Sequence, residues 1–103
     1  ICDWHYERPD KTAVYFAMKG FKVITCPWRN PGVAVVQLQD MVNFRTQSVS
    51  PMNTNFYGIM QTVWSGAGGF MQGYYQNKKD QSGGENTQWH CFKALYGEIE
   101  KLR

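Results

Sequence analysis

Three short apolar runs recur along the chain, each followed by a stretch whose apolar positions fall at helical spacing. The first run, residues 1–7, reads as a strand that turns polar and aromatic towards its end, and Arg8-Pro9-Asp10 breaks it. Asp10 is placed to cap the segment that follows, residues 11–19. There Ala13, Val14, Phe16, Ala17 and Met18 sit three and four apart, which predicts a helix. Gly20 suits the left-handed backbone that often ends one. The second run, residues 21–26, predicts another strand. Beyond it Asn30 is a capping residue and Pro31 fits a first helical position. The helix over 33–45 is expected to bury Val35, Leu38, Val42 and Met41 on one side. Residues 47–57 form a polar loop, and the third strand is predicted over 58–64. A glycine-rich turn, residues 65–69, precedes a short helix over 70–76. Residues 77–88 read as a solvated linker. The last helix starts near Asn86 or Thr87, with Trp89, Phe92, Tyr96, Ile99 and Leu102 along one face.

Alternating strands and helices with mostly apolar strands imply an α/β fold, a parallel sheet covered by helices with right-handed crossovers. Three parallel strands alone leave two open edges, and a chain of 103 residues buries a limited fraction of its surface. The expected architecture is therefore about three βα units, the C-terminal part of a (β/α)8 barrel, with these strands as its sixth, seventh and eighth. The whole chain is then one piece of a larger body.

Composition narrows the function. The chain is 43% hydrophobic and 16% aromatic, with a net charge of +3. The basic residues are scattered rather than striped, which argues against a nucleic-acid partner. No apolar stretch reaches the length of a membrane span. The chain opens on a strand pattern rather than a secretory leader. Cys2, Cys26 and Cys91 are too few and too dispersed for a disulfide framework, and they read as small buried hydrophobes.

The chemistry gathers at the strand exits. The first exit carries Asp3, Trp4, His5, Tyr6 and Glu7, the second Pro27, Trp28 and Arg29, and the third Thr62, Trp64 and Ser65. In barrels of this kind the C-terminal strand ends form the site. Each exit here delivers a tryptophan, which pairs a broad apolar face with one N–H donor. Sugar rings have apolar C–H faces and polar rims, so indoles beside charged groups suit carbohydrate. The competing reading is that these tryptophans fill core or cover a barrel end.

The stretches DWHYERPDKTAVYFAMKGFKVITCPW and NFYGIMQTVWSG resemble the last three strand–helix units of glycoside hydrolase family 20-type barrels, the β-N-acetylhexosaminidases and their bacterial relatives. The resemblance spans nearly the whole chain. It implies that Trp4, Trp28 and Trp64 contact substrate; His5, Glu7 and Arg29, read from the same strand exits, are the further candidate binding residues. It also implies a periplasmic or extracellular setting. The family's catalytic Asp-Glu pair lies at the end of strand four, so this chain supplies substrate-binding walls and no catalytic residue. The family often places a Glu beyond its last-strand tryptophan, where this chain has Ser65-Gly66-Ala67. Another glycosidase barrel therefore remains open.

Other chemistries find less support. Asp3 and Glu7, four apart on one extended strand, would stand about 13 Å apart, too far for a carboxylate pair. Asp3 is expected inside the barrel, bonded to a neighbouring strand. His5 is the better acid–base or hydrogen-bonding group, and Glu7 is paired with Arg8. His5, Cys26, His90 and Cys91 lack the close spacing of a zinc site. A Cys26–His5 nucleophile pair lacks a third orienting group. The glycine-rich turn matches no phosphate-binding fingerprint. No metal or cofactor is implied. The expected partners are a carbohydrate and either the rest of the barrel or another copy of the chain. The alternative is a small autonomous α/β module that binds sugar or protein without catalysis.

Overall fold

The computed structural model describes residues 1–76 and 86–102. The elements are β1 (Cys2–Asp3), α1 (Thr12–Met18), β2 (Val23–Thr25), α2 (Pro31–Gln47), a 3-10 turn (Met52–Asn55), β3 (Phe56–Ile59), α3 (Ala67–Gln76) and α4 (Gln88–Lys101). The three strands form one parallel sheet in the order β1-β2-β3. The α/β alternation expected from the hydrophobic pattern is what forms.

The strands are shorter than predicted. β1 ends at Asp3, not at residue 7, and β2 spans Val23–Thr25, leaving Phe21 52% exposed. β3 begins at Phe56, inside the expected loop, and ends at Ile59 rather than residue 64. Its ladder nevertheless continues: Met60 N donates to Thr25 O at 2.9 Å and Thr62 N to Pro27 O at 2.8 Å. A bulge explains the early start. Val23 pairs with Phe56 but Ile24 pairs with Gly58, so Tyr57 is the extra residue. Such an insertion resets the pleat. Phe56 and Ile59 can then both turn towards the helices.

Helix termini follow local chemistry. Asn30 caps α2, its side chain accepting from Val33 N at 3.1 Å, and Pro31 opens the helix. Thr87 caps α4, accepting from His90 N at 3.2 Å. Gly20 takes the positive φ of 89° expected beyond α1. Asp10 does not cap α1: Lys11 stands at the cap without a side-chain bond, and Asp10 pairs with Arg8 at 3.2 Å. Gly68 and Gly69 lie within α3, which starts at Ala67, so the predicted turn is shorter. The predicted linker over 77–88 lies outside the described residues as far as position 85.

Two apolar clusters make the core. Ala13 and Ala17 of α1, Val23, Met41 of α2 and Phe56 form the first. Ala34 and Leu38 of α2 meet Cys91 and Leu95 of α4 in the second, with Ile59 and Ile99 against it. α2 therefore buries the row through Ala34, Leu38 and Met41, while Val42 is exposed and Val35 half-buried, contrary to expectation. α4 is likewise rotated from the predicted face. Cys91 and Leu95 are buried, whereas Phe92, Tyr96 and Leu102 are exposed. Phe92 and Tyr96 stack on each other at 6.0 Å, and Phe92 meets Phe70 and Tyr74 of α3 edge-on. An aromatic stripe at helical spacing thus seats α3 rather than the main core.

Pairing Asp3 with Thr25 and Thr25 with Ile59 defines one row across the sheet. Asp3 and Thr25 are buried and Ile59 packs against the α2–α4 cluster, so this row faces the helices. The alternate row, Cys2, Ile24 and Gly58, faces away from them. One step on, Trp4 and Met60 of that opposite side are 65% and 58% exposed. Among the described residues no helix covers it.

Candidate functional site

The three predicted tryptophans converge on one residue. Tyr6 has its ring centroid 5.7 Å from Trp4, 5.5 Å from Trp28 and 6.4 Å from Trp64. The contacts to Trp28 and Trp64 are edge-to-face, the geometry favoured by ring quadrupoles. The wall borders an open cavity of about 640 Å³ on the helix-free side, lined by Trp4, Tyr6, Cys26, Met60, Thr62 and Trp64 among others.

The local sequence explains the convergence. β1 stops at Asp3 and leaves Trp4 and Tyr6 free of the ladder. Pro27 is fully buried and its carbonyl accepts from both Thr62 N (2.8 Å) and Thr62 Oγ1 (3.0 Å), which pins the exits of β2 and β3 together. Trp28 projects from that anchored proline. Gln61 Nε2 donates to Trp28 O and to Gln88 O, each at 2.9 Å.

The polar edges of the wall are partly committed. Trp28 Nε1 donates to Gln88 Oε1 at 2.9 Å, and Trp64 Nε1 donates to the Tyr6 hydroxyl at 2.9 Å. Those two indoles therefore present ring surface rather than N–H groups to a ligand. With its oxygen accepting from Trp64, the Tyr6 hydroxyl keeps its own hydrogen to donate. The sequence pattern places Tyr6 at the first strand exit without ranking it above its neighbours. Its place two residues beyond Trp4, on the same side of an extended segment, is the sequence signal that could have found it.

Arg29 and Glu7 form the rim. Their side chains approach to 3.7 Å, and the Arg29 guanidinium lies 4.4 Å from the Trp28 ring centroid. The partner expected for Glu7, Arg8, instead pairs with Asp10. An exposed pair of this kind contributes little stability, but it places both charges beside the aromatic surface.

His5 belongs elsewhere. Its Nδ1 donates to Asp3 Oδ1 at 2.6 Å, and Thr12 Oγ1 donates to Asp3 Oδ2 at 2.5 Å. Asp3 is not an inward barrel residue bonded to a neighbouring strand: its side chain faces α1. The pleat decides this, since Cys2 and Trp4 occupy the open side and Asp3 the other. Gln37 of α2 donates to His5 O at 2.8 Å. The Asp3–His5–Thr12 group thus ties the β1 exit to α1 and α2, and its side chains stand outside the aromatic wall.

The two buried thiols are quiet, whereas Cys2, expected to be buried with them, is exposed. Burial, followed by the neighbouring Cys2, pushes the Cys26 thiol up to about 11, and burial pushes Cys91 up to about 12. Neither is a nucleophile near neutral pH. Cys26 also lines the open side, whereas His5 is bonded on the helix side, so no Cys–His pair assembles. Among the described residues no group of three His, Cys, Asp or Glu converges for a metal, and no helix is long and apolar enough to cross a membrane. The chain matches no protein-family model, and no curated protein matches it.

Proposed function

We propose that the aromatic wall binds carbohydrate and that the chain is the closing part of a glycoside hydrolase-type (β/α)8 barrel, with the catalytic carboxylates on other strands. The observation that carries this reading is the contact of Tyr6 with Trp4, Trp28 and Trp64, where Tyr6, Trp4 and Trp64 line one open cavity and Trp28 backs Tyr6. Indole and phenol surfaces match the apolar faces of sugar rings, and the Tyr6 hydroxyl with the Arg29–Glu7 pair matches their hydroxyl rims. The barrel part rests on winding. Strands in sequential order with the described helices on one side are the arrangement of a barrel wall, whose other side turns inward. A doubly wound sheet would carry helices on both sides.

The second reading is an autonomous α/β module that holds sugar or a protein on the same wall. Both core clusters closing within the chain favour it.

The deciding experiment is done on the full-length polypeptide containing this chain. Binding of N-acetylglucosamine and cellobiose is measured by calorimetry, and hydrolysis of the matching aryl β-glycosides by absorbance. Binding with turnover supports the hydrolase barrel, and binding without turnover supports the module. No binding to either saccharide, with the protein folded, refutes the carbohydrate reading.

A further inference from the structure

Gln88 joins three segments of the chain through one side-chain amide. Its Oε1 accepts from Trp28 Nε1 at 2.9 Å and from the backbone N of Trp64 at 2.6 Å. Its Nε2 donates to Ser65 Oγ at 3.0 Å. An amide oxygen offers two lone pairs, and both are taken. Capping does not require any of this, because Thr87 already serves the first turn of α4. A glutamine at the first position of a helix would ordinarily extend into water. This one reaches the exits of β2 and β3.

We propose that Gln88 is the positioning residue of the aromatic wall. By holding the Trp28 indole edge and the Trp64 backbone on one oxygen, it fixes how these two ring systems stand to each other. That angle sets the affinity for a ligand that stacks on them. The inference rests on the carbohydrate reading of the wall. It also gives the wall a selectivity: with the Trp28 and Trp64 indole donors occupied, a ligand is held by ring faces and by the Tyr6 hydroxyl hydrogen. An apolar C–H face with an adjacent oxygen acceptor fits. A ligand that depends on those indole donors does not.

The test uses the full-length protein labelled with 5-fluorotryptophan, with fluorine resonances assigned by single Trp→Phe substitutions. Gln88→Met keeps the length and removes both acceptor sites. Gln88→Glu keeps the acceptors and loses only the donor to Ser65. Gln88→Met is expected to shift the Trp28 and Trp64 resonances and to weaken N-acetylglucosamine or cellobiose binding about tenfold, near the worth of one lost hydrogen bond. Gln88→Glu is expected to restore both. The Trp28→Phe variant removes the indole N–H without altering α4. Its effect and that of Gln88→Met should be non-additive in the double variant, as for two partners of one bond. Unchanged resonances and affinity in Gln88→Met overturn the proposal, as does strict additivity. If Gln88→Met does not fold, Gln88→Asn, which withdraws the amide by one methylene, decides: unmoved Trp28 and Trp64 resonances overturn it. Loss of binding in Trp4→Ala with full binding in Gln88→Met leaves the wall reading standing and removes this one. No saccharide binding by the wild type removes the wall reading, and the affinity claim with it. The resonances then decide the positioning alone.

Discussion

Replacing Trp64 by alanine tests binding and folding through two separate readouts. A tryptophan carries up to about 250 Å² of surface. Trp64 is 68% exposed, so roughly 170 Å² of it faces solvent on that scale. A sugar lying on one ring face would cover about half, roughly 85 Å², worth about 2 kcal/mol at about 25 cal/mol per Å². That corresponds to about a 30-fold loss of affinity on truncation. The fold loses a comparable amount. Roughly 80 Å² of Trp64 is buried on the same scale, worth about 2 kcal/mol, and it includes the contact with Tyr6. The bond from Trp64 backbone N to Gln88 remains. Calorimetric titration of the full-length protein with N-acetylglucosamine or cellobiose reads the first quantity, and denaturant unfolding reads the second. Binding weakened less than threefold, with stability down by several kcal/mol, would mean that Trp64 supports structure and the stacking argument fails.

Three further predictions concern the scaffold. Asp3→Ala should destabilise by about 3 kcal/mol in denaturant unfolding, because the Thr12 hydroxyl and the His5 N–H lose a buried carboxylate. Asp3→Asn, which keeps an acceptor, should recover a good part, and a loss under about 1 kcal/mol for alanine would contradict the lock. Gly73→Ala should destabilise despite a helix-propensity gain of about 1 kcal/mol, since overpacking costs about 1–3 kcal/mol. The added Cβ would stand 2.5 Å from Trp89 Cε3. A stabilised variant in thermal unfolding would show that α3 and α4 are not in close contact. For the thiols, Ellman's reagent at pH 8 should label exposed Cys2 in the native protein, and Cys26 and Cys91 only in denaturant. Their folded values, about 11 and about 12, lie above the ordinary 9.0. Unfolding therefore releases protons at alkaline pH. The thiol contribution to stability is complete below pH 9 and falls as pH rises towards 11 and 12, which unfolding midpoints across that range would register.

The order of elements was legible because helix signals were local. Asn30-Pro31, Thr87 and Gly20 announce termini by their own backbone chemistry, and each stands where the pattern put it. The strands were less legible, since their limits depend on pairing. Nothing in Tyr57 itself announces a bulge; it follows from fitting Phe56 and Ile59 to the same side of the sheet. Helix rotation failed for a related reason. Phe92 and Tyr96 outrank Cys91 and Leu95 in size, yet the small residues fit the close approach of α2, and the rings pack on α3 instead. At the site, Trp4, Trp28 and Trp64 could be read from their recurrence at strand exits. Tyr6 and Gln88 could not be ranked that way. Tyr6 is one aromatic among many, and Gln88 acts across 60 residues of chain.

That separation carries a consequence for how the wall comes into being. Trp28 is synthesised 60 residues ahead of the glutamine that holds it. Until α4 emerges and docks, the Trp28 indole N–H lacks its glutamine acceptor, although Thr62 already ties the exits of β2 and β3 together through Pro27. A nascent or truncated chain can hold its first apolar cluster, made of residues up to Phe56, while lacking a finished wall. On the carbohydrate reading proposed above, recognition would wait until that late helix is in place, and sugar capture would report that α4 has docked.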